Sequence, residues 1–321
     1  MKVMVTGGTG YLGRAVVRTL AARGHELVIF ARNASRSGLP GTAVDGDIRD
    51  RAAVELAARG CDAISHSAAL VSIWRRRPED FDDVNVGGLR NVLAAAAALR
   101  TPRVLYTSSF VALPPRDRTE PLLANDYQRT KVAADRVADE AVQGGCPLVR
   151  VYPGVVYGPG SFTEGNLVGR LIADHLKHKL PGLVGPEQRW SYAYIDDVAA
   201  GHGEALERGR IGGRYALGGE NAPQRRVFEI VQQLTGRRPP PRIPFPAAHL
   251  LGAAEELRVT CFGGTPLITR GAVEIFRHDW SLDSSESVRE LAYPLTPLAE
   301  GIARTLQSIR DAKPASEPRR P

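Results

Sequence analysis

Met1-Lys-Val-Met-Val-Thr-Gly-Gly-Thr-Gly-Tyr-Leu-Gly13 opens the chain. The short apolar run from Val3 to Val5 reads as a buried strand, breaks at Gly7-Gly8-Thr9-Gly10, and is followed from Tyr11 by a helical pattern. Strand, glycine turn and helix in that order form a phosphate-binding corner, because backbone N–H groups approach an anion where the helix N-terminus supplies partial positive charge. Glycines fall at 7, 10 and 13, a G-x-x-G-x-x-G spacing. Gly7 permits the turn, Gly10 keeps a side chain off the phosphates and Gly13 lets helix and sheet approach. The expected contact surface is Gly7, Thr9, Gly10, Tyr11, Leu12 and Gly13.

Working outward, Leu12, Val16, Val17 and Leu20 form one helical face that stops at Gly24, and Leu27 to Phe30 is a second strand. A β-α-β unit therefore closes within the opening stretch. The end of the second strand decides which ribose is read. A carboxylate there accepts from the 2′-hydroxyl of NAD and repels a 2′-phosphate. Here Ile29-Phe-Ala-Arg-Asn-Ala-Ser-Arg36 has no acid and two arginines. Arg32 is expected to stack on adenine and pair with phosphate, which favours NADP(H) and leaves NAD possible.

Asp47-Ile48 precedes a helix over about 50–59, with Asp47 placed to accept from an adenine amino group or to open the helix. Ala63 to Ala69 is a strand ending in small residues, Ser67, Ala68 and Ala69, beside which a cofactor lies; His66 reads as a packed strand-end histidine. Val104 to Tyr106 delivers Thr107-Ser108-Ser109 to a C-terminal strand edge, where open parallel sheets bind ligands. Tyr127 and Lys131 then lie one turn apart on one helical face. An ammonium there lowers the phenol's pKa and binds ribose hydroxyls, the phenol protonates a carbonyl under reduction, and Ser109 holds the same oxygen.

Composition narrows the classes further. The chain has 321 residues, 43% hydrophobic and 24% charged, as in a soluble globular protein. No run approaches the roughly 18 apolar residues of a membrane span, and the N-terminus enters the first strand at once, so cytoplasm is the expected compartment and no membrane partner is foreseen. Cys61, Cys146 and Cys261 are widely spaced, which points to neither a disulfide framework nor a metal site. The formal charge of +7 comes from scattered arginines without interleaved aromatics, so no nucleic-acid partner is expected. The proline-rich tail, 311–321, reads as disordered.

Taken together, these motifs resemble the extended short-chain dehydrogenase/reductases. The resemblance rests on Thr6-Gly-Gly-Thr-Gly-Tyr-Leu-Gly13, Asp47-Ile48, His66-Ser-Ala-Ala69, Asn85-Val-x-Gly-x-x-Asn91, Tyr106-Thr-Ser-Ser109, Tyr127-x-x-x-Lys131, Arg150-Val-Tyr-Pro-Gly-Val-Val-Tyr-Gly-Pro159 and Tyr194-Ile-Asp-Asp-Val198. Within the family the chain is most similar to the dihydroflavonol 4-reductase-like and hopanoid-associated epimerase-like branch, through Trp74 and Gly212-Gly-Arg-Tyr-Ala-Leu-Gly-Gly-Glu-Asn221. It implies a Rossmann-type, doubly wound α/β sheet over 1–160, and a smaller substrate-binding part over 161–310 interleaved with returns to the main sheet. It further implies Tyr127 as general acid, Lys131 as its tuner and ribose ligand, Ser109 as the carbonyl-orienting group, and Pro153, Val155 and Val156 beside the nicotinamide. A homodimer through the Tyr127 helix is also implied.

One departure bears on substrate. Where the nucleotide-sugar branch carries an arginine before its late Asp pair, this chain has Trp190-Ser191-Tyr192, with Arg189 one place off. The change favours an apolar or aromatic substrate, and Trp74, Phe162, Trp190 and Tyr192 are candidate lining residues. The leading expectation is an NADPH-dependent ketone or aldehyde reductase. A nucleotide-sugar epimerase or dehydratase with tightly held NAD is the first alternative, and a non-catalytic dinucleotide sensor the second.

Overall fold

The computed structural model describes residues 1–311, so the expected tail from 312 onward lies outside the described residues. Five parallel strands follow one another through the first half: β1 (Lys2–Thr6), β2 (Glu26–Ala31), β3 (Thr42–Asp45), β4 (Ala63–His66) and β5 (Val104–Thr107). With β6 (Leu148–Pro153) and β10 (Arg214–Leu217) they make a seven-stranded sheet, ordered β10-β6-β5-β4-β1-β2-β3, all parallel. Strand order reverses between β1 and β4, the switch point at which a crevice opens above the strand ends.

The sequence accounts for this arrangement through period two. Val3 and Val5, with Leu27 and Ile29, enter one core, whereas Met4, Val28 and Phe30 enter the other. Strands buried on both faces need continuous apolar runs, and these strands have them. The first core is covered by α1 (Tyr11–Ala22), presenting Val16, Val17 and Leu20, and by α7 (Ile195–Arg208). The second is covered by α2 (Arg51–Ala58), α4 (Gly88–Leu99) and α5 (Asp126–Gln143). A short helix, α3 (Glu79–Phe81), runs through a π turn at Asp82–Gly87 into α4. At its end Gly88 sits so close to Ile48 that an added Cβ would lie 2.9 Å from that side chain.

Past Pro153 the chain builds a second, three-stranded sheet, β11-β9-β7, from β7 (Val155–Tyr157), β9 (Arg189–Tyr194) and β11 (Glu220–Pro223). A two-stranded ribbon pairs β8 (Leu183–Val184) with β12 (Arg242–Ile243). Helices α6 (Leu167–Leu176), α8 (Gln224–Thr235) and α12 (Leu298–Asp311) pack here around Tyr157, Trp190 and Phe228. Helices α9 (Phe245–Phe262), α10 (Arg270–Ile275) and α11 (Ser285–Leu291) complete the chain.

Strands β7, β9 and β11 are not among those read from the sequence; β7 and β11 have only three and four residues, and in β9, Arg189-Trp-Ser-Tyr-Ala-Tyr194, the last five residues are all buried. Helix α6 stops at Leu176, and just beyond it His178 turns left-handed at φ 58°. Helix α9 begins at Phe245, and the arginine–proline run just before it, from Arg237 to Pro244, carries strand β12.

Candidate active site

The crevice above the strand ends is one continuous cavity of about 1770 Å³. Its floor is the opening glycine turn. Gly7 adopts φ +72°, and a Cβ there would lie 2.5 Å from the Ala68 nitrogen. The β1 turn and the small-residue end of β4 therefore touch, and Ser67 Oγ reinforces the seam by donating to the Thr6 carbonyl at 2.8 Å. A Cβ on Gly13 would stand 2.0 Å from the Gly7 carbonyl oxygen, so only glycine lets α1 begin this near the turn.

Gly10 differs from both. Its φ of −74° suits any residue, its only close neighbour would be Gly7 O at 3.3 Å, and it faces the cavity. Internal packing does not demand glycine here; room in the cavity does. Helix α1 also starts without a side-chain cap, as do α4, α7, α8 and α9, but its first turn lies on the cavity floor. An uncapped N-terminus whose first turn lines a cavity leaves N–H groups available to an anion. These features fit the pyrophosphate of a dinucleotide.

At one end of the cavity stand Arg32, Asp47 and Ile48. Arg32 is exposed and has no ion-pair partner among the described residues. Asp47 is engaged by Arg49, whose guanidinium lies 2.6 Å away and holds the carboxyl below its ordinary range. Beside Arg32, Asp45 accepts from both the Ser35 N–H and its hydroxyl, at 2.9 and 2.6 Å.

At the other end the first turn of α5 projects Tyr127 beneath the loop after β5. The helix starts where it does because Asn125 Oδ1 accepts from the Gln128 N–H at 2.8 Å, while Gln128 Oε1 accepts from the Ala124 N–H at 3.1 Å. Gln128 Nε2 also donates to Val111 O at 3.2 Å, tying the helix to the loop that carries Ser109. The spacing Asn125-x-x-Gln128 is a helix-start signal visible in sequence that the sequence reading did not use. Asn85 is similarly structural: it bonds both the N–H and the carbonyl of Leu70, at 2.7 and 3.3 Å, and reaches Thr130 Oγ1 at 3.0 Å.

Burial raises the Tyr127 phenol above its ordinary value, and a hydrogen bond with the Ser109 hydroxyl opposes that rise. The sequence reading assigned the opposing influence to Lys131. In the structure Lys131 Nζ instead donates to Thr107 O at 3.1 Å, since a buried ammonium takes the fixed carbonyl within reach. Burial lowers Lys131 from 10.5 to about 8, while Asp135 one turn on acts to raise it. His66 is buried, bonded through Nδ1 to Thr6 Oγ1 at 2.7 Å and stacked on Tyr106 at 5.7 Å. Burial, then Lys131, hold it near 3, so it stays neutral at ordinary pH.

Gly7, Thr9 to Gly13, Arg32, Asp47, Ile48, Ser67, Ala68, Ala69, Ser109, Tyr127, Lys131, Pro153, Val155 and Val156 all line this one cavity. Of the four aromatic candidates, Trp190 does so, stacked on Phe276 at 4.9 Å. Trp74, Phe162 and Tyr192 do not. Tyr192 packs edge-on against Tyr157 inside the second core, 6.4 Å between centroids. Phe162 and Trp74 sit in loops whose neighbours, Ser161 and Thr163, and Ile73 and Arg75, reach the cavity instead. Arg189 donates to Asn221 O at 2.6 Å and is also outside it. Among the described residues no cluster of three metal-ligating side chains occurs, and the three cysteines are unpaired.

This geometry fits a dinucleotide-binding site, and comparison with known proteins places the chain. Residues 3–218 match the NAD-dependent epimerase/dehydratase family, and the chain belongs to that family, within the extended short-chain dehydrogenase/reductases, as an NAD(P)-dependent oxidoreductase. It is 32% identical to "Sterol demethylase protein B" of Methylococcus capsulatus, over 97% of this chain and 99% of that one. It is also 32% identical to a 2-alkyl-3-oxoalkanoate reductase of Stenotrophomonas maltophilia, over 95% and 98% of the two chains. Among solved structures, gox2253 superposes with a TM-score of 0.82 at 29% identity, covering 97% of this chain and 98% of that one. A UDP-glucose 4-epimerase from Thermus thermophilus in complex with NAD follows at 0.74 and 25%, covering 97% and 100%.

Proposed function

We propose that the protein uses NADPH to reduce a ketone or aldehyde on a mid-sized, largely apolar molecule, and runs in reverse as a secondary-alcohol dehydrogenase. One observation carries the reading: the cavity that holds Tyr127 is also lined by Phe110, Leu171, Leu180, Leu183, Trp190 and Phe276, with Arg170, Asp174 and Lys179 as the charged residues of this substrate lobe. Such a wall gains from burying apolar surface and offers little to a sugar. When bound, the dinucleotide supplies a hydride to the carbonyl carbon. The Ser109 hydroxyl orients the carbonyl oxygen, and Tyr127, kept protonated by its burial, donates the proton. Lys131, held at the Thr107 carbonyl, lies where ribose hydroxyls would meet it and links them to the phenol. Arg32 supports NADPH because its guanidinium is unengaged at the cavity edge and no acid occupies its strand end.

The test is a panel of alkyl and aryl ketones and aldehydes, followed by nicotinamide absorbance with NADPH or NADH. Turnover of apolar ketones with NADPH supports the reading. Turnover of UDP-sugars without net change in absorbance, with stoichiometric NAD in the purified protein, overturns it in favour of an epimerase. Arg170 and Lys179 on the lobe favour that second reading, but Arg170 is paired with Glu164 at 2.6 Å. A cytoplasmic homodimer is part of the same proposal, tested by sedimentation velocity and cell fractionation.

A further inference from the structure

Helix α9 is unlike every other long helix of the chain. Of its eighteen residues only Ala248, Gly252 and Val259 are buried, on one narrow side. The approach is close, since a Cβ on Gly252 would lie 2.9 Å from the Arg270 nitrogen on α10. Opposite this seam the exposed positions Ala247, Leu250, Ala254, Leu257 and Cys261 recur at helical spacing and are all apolar. Leu250 is 74% exposed and Leu257 65%, and at the helix end Phe262 reaches 85%. A helix apolar on both faces has a second apolar environment in view.

Two further observations say what that environment is. First, α9 is also a wall of the substrate lobe: Leu251 lines the cavity, as does Leu267 just beyond the helix, itself 66% exposed. The outer stripe is therefore continuous with the cavity wall. Second, cations gather where α9 begins. Arg237 donates to Leu176 O at 3.1 Å, which brings the segment before β12 against the end of α6. Lys177, Lys179, Arg238 and Arg242 are exposed there and form no ion pair among the described residues. By contrast Arg258 and Arg270, farther along, are neutralised by Glu255 and Glu256 at 2.9 and 2.7 Å.

We infer that α9 lies in the surface of an anionic lipid bilayer, with its leucine stripe among the acyl chains and the cations at its start on the headgroups. The substrate then passes from the lipid phase into the lobe without crossing water. At about 1.5 Å per residue the helix is about 27 Å long, so its outer stripe extends along the surface over most of that length. Spanning length, on which the sequence reading excluded a membrane partner, does not detect such a helix. The purpose of the contact rests on the apolar-substrate proposal; the contact itself does not.

Vesicle flotation tests it without any carbonyl substrate, so its failure is separate from failure of the proposed reaction. The full chain is mixed with vesicles of phosphatidylcholine, alone or with phosphatidylglycerol. Binding to the anionic vesicles is expected, reduced at least several-fold on phosphatidylcholine alone. The double substitution Leu250→Glu, Leu257→Glu is expected to abolish binding while circular dichroism and dinucleotide affinity stay unchanged. Arg238→Glu with Arg242→Glu should remove the preference for anionic lipid. Absence of binding by the wild type, or equal binding by the leucine double variant, overturns the inference. So does a dimer in sedimentation velocity that the leucine substitutions dissociate with no vesicle binding, which would make a second copy the occupant.

Discussion

Lys131 and Asp135, one turn apart on α5, hold consecutive residues at the same strand end. Lys131 Nζ donates to Thr107 O at 3.1 Å, and Asp135 Oδ1 accepts from Ser108 Oγ at 3.2 Å. Asp135 is itself buried, and also accepts from Tyr152 OH at 2.8 Å and from Arg214 at 3.1 Å. The carboxylate thus fixes the residue before Ser109 and keeps a counter-charge beneath a lysine that burial would otherwise neutralise.

Asp135→Asn is therefore expected to act on the reaction through its neighbours. Asp135 raises Lys131, so its removal lets burial lower the ammonium further below about 8. The alkaline limb of kcat/KM should move to lower pH. The loss in kcat at neutral pH should stay below the roughly hundredfold or greater effect attached to a general acid. A pH profile unchanged from the wild type would refute the coupling.

Tyr127→Phe removes the proposed proton donor and leaves the ring. We expect kcat to fall by about 10²–10⁴, with dinucleotide affinity within a few-fold of the wild type. Steady-state rates and a fluorescence titration decide it, and retained turnover would remove Tyr127 from the mechanism.

Arg32→Ala should weaken NADPH selectively. A hydrogen bond to a charged group contributes about 1.5–3 kcal/mol, or about ten- to hundredfold in Kd, whereas NADH binding should change little. Equal losses for both cofactors would assign Arg32 to adenine stacking alone.

The glycines of the opening turn should separate by variant. Gly13→Ala drives a Cβ into Gly7 O and should lower stability by about 1–3 kcal/mol or more, read in denaturant unfolding. Gly10→Ala meets only that same oxygen at 3.3 Å and should fold normally while losing dinucleotide affinity. Normal cofactor binding by Gly10→Ala would refute the reading of the cavity floor.

The sheet, and the gathering of residues from its strand ends at one cavity, were legible because each signal is local. A run such as Val3 to Val5 declares a doubly buried strand, and Tyr127 and Lys131 share a face by helical geometry alone. The substrate side was not legible, because aromatic identity does not say which surface a ring meets. Trp190 and Tyr192 are two apart on β9 and equally buried, yet one borders the cavity and the other packs against Tyr157. The contact of Lys131 with Thr107 O was not legible for a related reason. Helical spacing puts Lys131 near the phenol, but only the position of the β5 end reveals that a carbonyl has the stronger claim on its ammonium.

Strand β10 lies beside β6, and α7 covers the core beneath β1, although both come from beyond residue 160. A fragment ending near 160 would leave β6 as a bare sheet edge and strip Val3, Val5 and Leu20 of their cover from Val198, Leu206 and Leu217. Both sides of residue 160 therefore contribute to one core and one sheet. The boundary near residue 160 thus falls across a shared core, so a cut there would expose apolar surface on both sides of it.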